Sequence, residues 1–350
     1  MGTNRSSVKA FSPGFAAWAC LLAAPAFAAT LDMVTVGDPG NAADTSPAGR
    51  GAVSTSFKMM TYEFTNQQYA SFLNAVAATD TYSLYNSRMG SNARGGITQS
   101  GASGTYSYAA KENMGDKPVN YVSWFDAARV ANWYQNGATG TSSTETGAYD
   151  LNGINAGYTV AVNAGATFFI PTVDQWYKAA FYKSGGTDAG YWNYATQSDT
   201  APTAVSAGAT GIGSAGNTGN YANYAAAAVW NGLTGDVTTI GTNGGPGAYG
   251  TFDMSGNLNE WNDYDGVTIG GYRGIWGGSW NGDANDLSSS RSVDYAPTQE
   301  SSTIGFRLAS PVSSSAVPEI DPATGGSALS LVAGVLAMIE QRRRRAAIVA

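Results

Sequence analysis

Three observations predict an α+β domain with little regular secondary structure. Glycine makes up 45 of 350 residues, nearly twice the usual share of about 7%. Twenty Tyr, nine Trp and twelve Phe are scattered through stretches rich in Gly, Ser, Thr and Asn. Helix start signals occur at only three places, all before residue 184, with short strand patterns beside them. The glycines follow no collagen-like period, so they read as turns, and large aromatic side chains fill the space between long ordered loops.

The elements follow in order. Residues 57–62 read as a strand. Thr65 then caps a helix, with Gln68 at the third position able to return a hydrogen bond to the capping residue. Tyr69, Phe72, Leu73 and Val76 form its apolar face. A second helix starts after Ser123, has Asp126 in the equivalent place, and carries Trp124, Ala127, Ala128, Ala131 and Trp133 to about residue 135. A strand at 167–170 stops at Pro171, after which Thr172 caps a third helix with Gln175 at its third position and Trp176, Ala179, Ala180 and Tyr182 beyond. Past Lys183 helix signals fade, and short strands fit residues 271–276 and 305–309. Residues 86–116, 137–160 and 184–222 have low-complexity composition. Their spaced aromatics, such as Tyr106, Tyr108, Tyr191, Trp192 and Tyr194, favour ordered loops over disorder.

Both ends read as targeting segments. Residues 1–28 have a basic start (Arg5, Lys9), an apolar run at 15–22 and a small-x-small site at Ala26-Phe27-Ala28, which is the order of a signal peptide. Residues 29–310 form the domain and 311–322 a linker with nothing to bury. Residues 323–350 hold an apolar run just long enough for one membrane span, closed by Arg342–Arg345 on the cytoplasmic side. Val317-Pro318-Glu319 followed by this apolar helix and basic end resembles the PEP-CTERM sorting signal, with Ile320 where that family usually has a second proline. The resemblance implies an exosortase-type sorting protease as partner; an ordinary tail anchor is the alternative. Either places the domain outside the cytoplasm, in the cell envelope or extracellular matrix, held transiently or permanently by its C-terminus.

Composition excludes several chemistries. The one cysteine, Cys20, lies in the signal segment and there is no histidine, so thiolate nucleophiles, soft metal sites, disulfides and Ser-His-Asp triads are absent from the mature domain. Residues 29–316 carry 12 basic and 22 acidic side chains. So few scattered cations build no basic patch, and nucleic acid is not an expected partner. Glu63, Asp126, Glu260 and Arg307 stand among apolar residues, so each needs a partner if buried.

A series of short motifs resembles the formylglycine-generating enzyme, or sulfatase-modifying factor, family. The series runs Tyr62-Glu63-Phe64-Thr65-Asn66, Pro118-Val119-Asn120-Tyr121-Val122-Ser123-Trp124, Ile170-Pro171-Thr172, Gly256-Asn257-Leu258-Asn259-Glu260-Trp261, Gly277-Gly278-Ser279-Trp280, Arg291-Ser292 and Ile304-Gly305-Phe306-Arg307. The resemblance covers residues 50 to 310 and implies a fold related to C-type lectins, with a small twisted antiparallel sheet, packed helices and long loops. Active members oxidise a substrate cysteine with copper(I) held by two thiolates, and those positions fall here on Gly282 and Leu287. Soft thiolates select Cu(I), so no copper is expected and no catalytic residue is assigned.

The resemblance also implies two calcium sites. One falls on Asp253, Gly256, Leu258 and Glu260, carboxylates and carbonyls of the kind calcium prefers; a Gly-rich turn with Glu260 in a salt bridge is the alternative. The other begins with Asn223 by side chain and Tyr224 by carbonyl, and its later pair, an aspartate position and a carbonyl, fall on Asn231 and Leu233. Trp276, Ser279, Trp280, Asn281 and Asp283 suit a groove for a peptide or sugar ring, unless the tryptophans are core. These residues read as a non-catalytic, calcium-stabilised binding or structural domain whose ligand is a glycan, an exopolysaccharide or a surface protein. The alternative is an enzyme of the family's type or with altered chemistry on the same scaffold.

Overall fold

The computed structural model describes Gly2 and residues 30–46, 49–156, 160–263 and 271–312. All but Gly2 of the expected signal peptide, the C-terminal helix and all but the first two residues of the linker lie outside the described residues. The elements are β1 (Met33–Val36), β2 (Phe57–Met60), α1 (Asn66–Val76), α2 (Ser87–Ser91), β3 (Ile97–Ser100), β4 (Ser107–Ala110), α3 (Trp124–Gln135) and α4 (Val173–Phe181). Seven short strands follow: β5 (Thr203–Ala204), β6 (Tyr221–Ala222), β7 (Asn259–Asn262), β8 (Arg273–Trp276), β9 (Val293–Tyr295), β10 (Ile304–Gly305) and β11 (Ala309–Pro311). The fold is α+β, and most described residues lie outside helices and strands.

The three expected helices form, each with its expected cap. Thr65, Ser123 and Thr172 accept from the N3 backbone amide, while the side chains of Gln68, Asp126 and Gln175 accept from the capping residues' amides. Two of the four orphan donors of each first turn are thereby satisfied. The structure adds α2, one short turn of helix capped by Asn86, which accepts from Arg88 N at 2.8 Å. The expected strand at 167–170 reduces to one bridge between Phe169 and Ala309.

Strand pairing is also less uniform than an antiparallel sheet. β1, β2 and β11 form a three-stranded antiparallel sheet, with Val36 opposite Phe57 and Pro311 opposite Phe57 on the other side. The second sheet has the order β10-β7-β8-β9 and is mixed, because β10 pairs with β7 in parallel. The segment expected as one strand at 305–309 is split: Gly305 belongs to one sheet and Ala309 to the other. Arg307, between them, is fully buried.

Aromatic packing supplies the core. Phe64 stacks on Phe306 at 4.9 Å and meets Tyr69 edge-on, while Phe72 meets Trp133, so α1 and α3 share one large cluster. α4 brings Trp176, Tyr177 and Phe181 against Trp276 of β8 in a second cluster. A third gathers Met114, Trp230, Val237, Leu258 and Trp280. Each such fully buried side chain contributes about 1.5–3 kcal/mol by removal from water. The loops are pinned as expected: Tyr108 OH donates to the Ala77 carbonyl at 2.8 Å, and Tyr191 OH donates to that of Ala42 at 2.8 Å.

Candidate functional site

The residues singled out in the C-terminal half converge on three separate places. At the first, Leu287 is fully buried, and a Cβ placed on Gly278 would come 2.7 Å from Leu287 Cδ1. A Cβ on Gly282 would stand 2.9 Å from Asp286 Oδ2. An aliphatic side chain and a carboxylate-backed glycine thus stand at the two places where the resemblance implies thiolates, and neither offers a soft donor. The following turn satisfies itself: Asp283 Oδ1 accepts from the amides of Asn285 and Asp286, and Asp286 Oδ2 accepts from Asp283 N.

The expected groove is not floored by exposed tryptophan. Trp276 and Trp280 are 3% and 6% exposed. Trp276 packs among Trp176, Tyr177 and Phe181, and Trp280 donates to the Ser302 carbonyl at 3.0 Å beneath the Arg94 guanidinium. Ser279 is buried, and its hydroxyl donates to Asn281 Oδ1 at 2.9 Å; Asn281 and Asp283 are exposed. Local aromatic density fills the core here, so these five residues form no open ligand surface.

At the second place, Glu260 and Arg307 form a fully buried bidentate pair, Nε to Oε2 at 2.7 Å and Nη2 to Oε1 at 2.6 Å. Trp176 Nε1 also donates to Glu260 Oε2 at 2.7 Å. Asp253 accepts from Gly241 N at 2.6 Å and from Asn243 Nδ2 at 2.9 Å. Glu63, also buried, accepts from Asn257 Nδ2 at 2.8 Å and Leu258 N at 3.1 Å. Burial first, then the charges of Asp253 and Glu260, hold the Glu63 carboxyl well above the usual range; burial likewise raises Asp253. Both carboxylates of the Asp253, Gly256, Leu258, Glu260 set therefore have protein partners, and Glu260 is neutralised by a guanidinium. That donor set does not fit a calcium ion.

The third place differs. Asn223 is fully buried, and its Nδ2 donates to Asp236 O at 2.9 Å, Thr238 Oγ1 at 3.0 Å and Asn257 Oδ1 at 3.1 Å, yet its Oδ1 has no partner among the described residues. Asp236, equally buried, uses Oδ1 to accept from Val237 N, and its Oδ2 has no partner. Burial pushes the Asp236 carboxyl up to about 6 against the opposing charges of Arg94, Lys117 and Lys111. Two buried oxygens without donors are costly as they stand, and both are hard ligands of the type calcium takes. Asn231, by contrast, is exposed and donates to the Ala93 carbonyl at 3.3 Å, and Leu233 N closes a turn on Trp230 O. Asp236, with Thr238 two residues on, is the carboxylate residue set against Asn223, and Asn231 lies apart from both. Positive φ at Asn231 and Gly232 marks a tight turn, a signal the Asn-Gly pair carries in the sequence.

Residues 29–312 match the model of the sulfatase-modifying factor enzyme 1-like domain, and the chain belongs to that family. Residues 317–347 match the VPEID-CTERM protein sorting domain, which makes this an exported, envelope-associated protein. Among solved structures, CarF is similar over 81% of this chain and 99% of its own, at 23% identity and a TM-score of 0.47. Treponema denticola variable protein 1 is similar over 80% and 95%, at 19% identity and a TM-score of 0.46. PvdO from Pseudomonas aeruginosa is similar over 81% and 92%, at 18% identity and a TM-score of 0.41. Comparison with curated proteins gives no match. Among the described residues no helix is long and apolar enough to cross a membrane.

Proposed function

We propose that this protein is a non-catalytic, calcium-stabilised binding domain displayed at the cell envelope, with a glycan or surface protein as ligand. The non-catalytic part is supported by Gly282 and a fully buried Leu287, the two residues on which the thiolate positions implied by the resemblance fall. A buried aliphatic side chain neither binds copper(I) nor leaves room for it beside Gly278. The calcium part rests on Asn223 and Asp236, whose orphaned oxygens would hold the ion, with carbonyls of the same loop completing an oxygen shell. When bound, calcium would supply charge compensation for a buried carboxylate and cross-link residues 223 and 236. With one carboxylate in the set, affinity belongs to the weak, extracellular range of about 10⁻⁴–10⁻³ M. The C-terminal segment, outside the described residues, would hold the chain in the membrane until an exosortase-type protease acts on it.

Calorimetric titration of the chelated full chain with Ca²⁺, together with thermal melts, tests the reading. Saturable binding with a rise in melting temperature, both lost in Asp236→Asn, is the expected result. The non-catalytic half is tested separately by mass spectrometry of cysteine-containing peptides incubated with the chain, copper(I) and oxygen. Conversion of peptidyl cysteine to formylglycine would overturn it.

A further inference from the structure

We propose that the cleft between residues 196–200 and 217–220 is the ligand site, and that it takes a neutral glycan hydrogen-bonded to Asn217 and Thr218. The proposal rests on the reading of this domain as an envelope binding module, and it assigns that module a location and a ligand class. The cleft has a volume of about 570 Å³ and is lined by Thr196, Gln197, Ser198, Asn217, Thr218 and Asn220, with Gly245 and Pro246 at its base. That volume falls within the range of about 300–1,000 Å³ usual for small-molecule sites.

The lining has no charged side chain. Asp199, the one ionisable residue in the 196–200 turn, is held by Asn193 N at 3.1 Å and faces Lys183 at 3.9 Å, away from the lining. An ionic ligand would find no counter-charge there, and an apolar one would strand hydroxyls and amides without partners. A polyhydroxylated neutral ligand matches the lining, because each hydroxyl both donates and accepts, as do amides and Thr or Ser hydroxyls.

The walls are fixed before any ligand arrives. Asn220 bridges them, accepting from Thr196 Oγ1 at 2.6 Å while its amide donates to Ser198 Oγ at 3.0 Å and the Thr200 carbonyl at 3.1 Å. Gln197, with φ +57 and Nε2 on the Pro246 carbonyl at 3.0 Å, ties the turn to the base. A left-handed glutamine is an uncommon backbone state that surrounding bonds must hold. Asn217 and Thr218 are exposed on the opposite wall and remain available to a ligand. Rigid walls with free polar tips reduce the ordering cost of binding.

The test is saturation-transfer NMR and calorimetry of the purified full chain with maltohexaose and cellohexaose, and with polygalacturonate as the charged counterpart. Expected is binding of at least one neutral oligomer, weakened about tenfold or more by Asn217→Ala and by Thr218→Ala, with melting temperature unchanged. Two variants on separate residues guard against a single folding defect. Wild-type binding that both variants retain places the glycan elsewhere and overturns the cleft, while the binding reading stands. Binding of polygalacturonate with no neutral oligomer bound also overturns the cleft alone. Binding of none of these overturns both.

Discussion

Arg307 makes five side-chain hydrogen bonds, two to Glu260 and one each to the carbonyls of Met60, Thr61 and Phe252. It joins the end of β2, the 252 loop and β7, three segments that no continuous sheet connects. Removing one member of a buried pair leaves the other charge uncompensated, at about 3–5 kcal/mol. Arg307→Met should therefore cost that much in urea unfolding, whereas Glu260→Leu with Arg307→Met should recover a large part of it. The Arg307→Met deficit should shrink as pH falls, because Glu63 and Asp253 are carboxyls already raised by burial and protonate readily inside. Asp236 gives a second pH dependence. Its folded carboxyl sits at about 6, above the unfolded value of 3.8, so without metal its contribution to stability is favourable at low pH and is lost as pH rises through 6. On the proposed reading calcium would compete with that proton, so the calcium-induced rise in melting temperature should be largest above pH 6 and vanish well below it. Asp236→Asn should remove both the ion's effect and this pH dependence.

Capping residues decide where helices begin, and they were the most legible elements in the sequence. Thr65, Ser123 and Thr172 each announce a reciprocal pair of hydrogen bonds from residues three apart, a purely local signal that tertiary context did not override. Each Thr→Ala or Ser→Ala change at these caps should cost about 1 kcal/mol in thermal or urea unfolding. α2 was not legible because five residues, Ser-Arg-Met-Gly-Ser, present no period and bury only Met89. The strand expected at 167–170 and the single strand expected at 305–309 failed for a different reason. Their hydrogen-bond partners are set by long-range placement, with Phe169 on Ala309 and Gly305 on Glu260. Partner choice was less legible at the candidate sites: the resemblance implied Glu260 as a ligand with a salt bridge as the alternative, and only the fold brings Arg307 and Trp176 onto its oxygens. The loop before β7 carries its own test. Gly256 has φ +90, and a Cβ there would fall 2.4 Å from the Asn223 carbonyl oxygen. Gly256→Ala should displace Asn223, lower the melting temperature, and abolish its response to calcium although no candidate ligand side chain is changed.

At the scale of the whole chain, folding and sorting are separable. The family match ends at residue 312 and the sorting match begins at 317. The last described pairing that closes the domain is β11 on β2, ending with Pro311 opposite Phe57, one residue past the expected end of the domain. Arg307 and Phe306, which anchor this C-terminal segment in the core, lie upstream of the sorting region. Stability of an exported domain without a usable thiol must come from that packing and its buried polar links, because no disulfide can constrain the unfolded chain. Deleting residues 317–347 should thus leave the melting temperature and the calcium response unchanged while shifting the protein from the envelope fraction to the medium. Cell fractionation with immunodetection, paired with a melt of the released protein, measures both. A released protein that melts markedly lower would mean that the tail contributes to the fold, and an unchanged envelope fraction would mean that retention resides in the domain and its ligand.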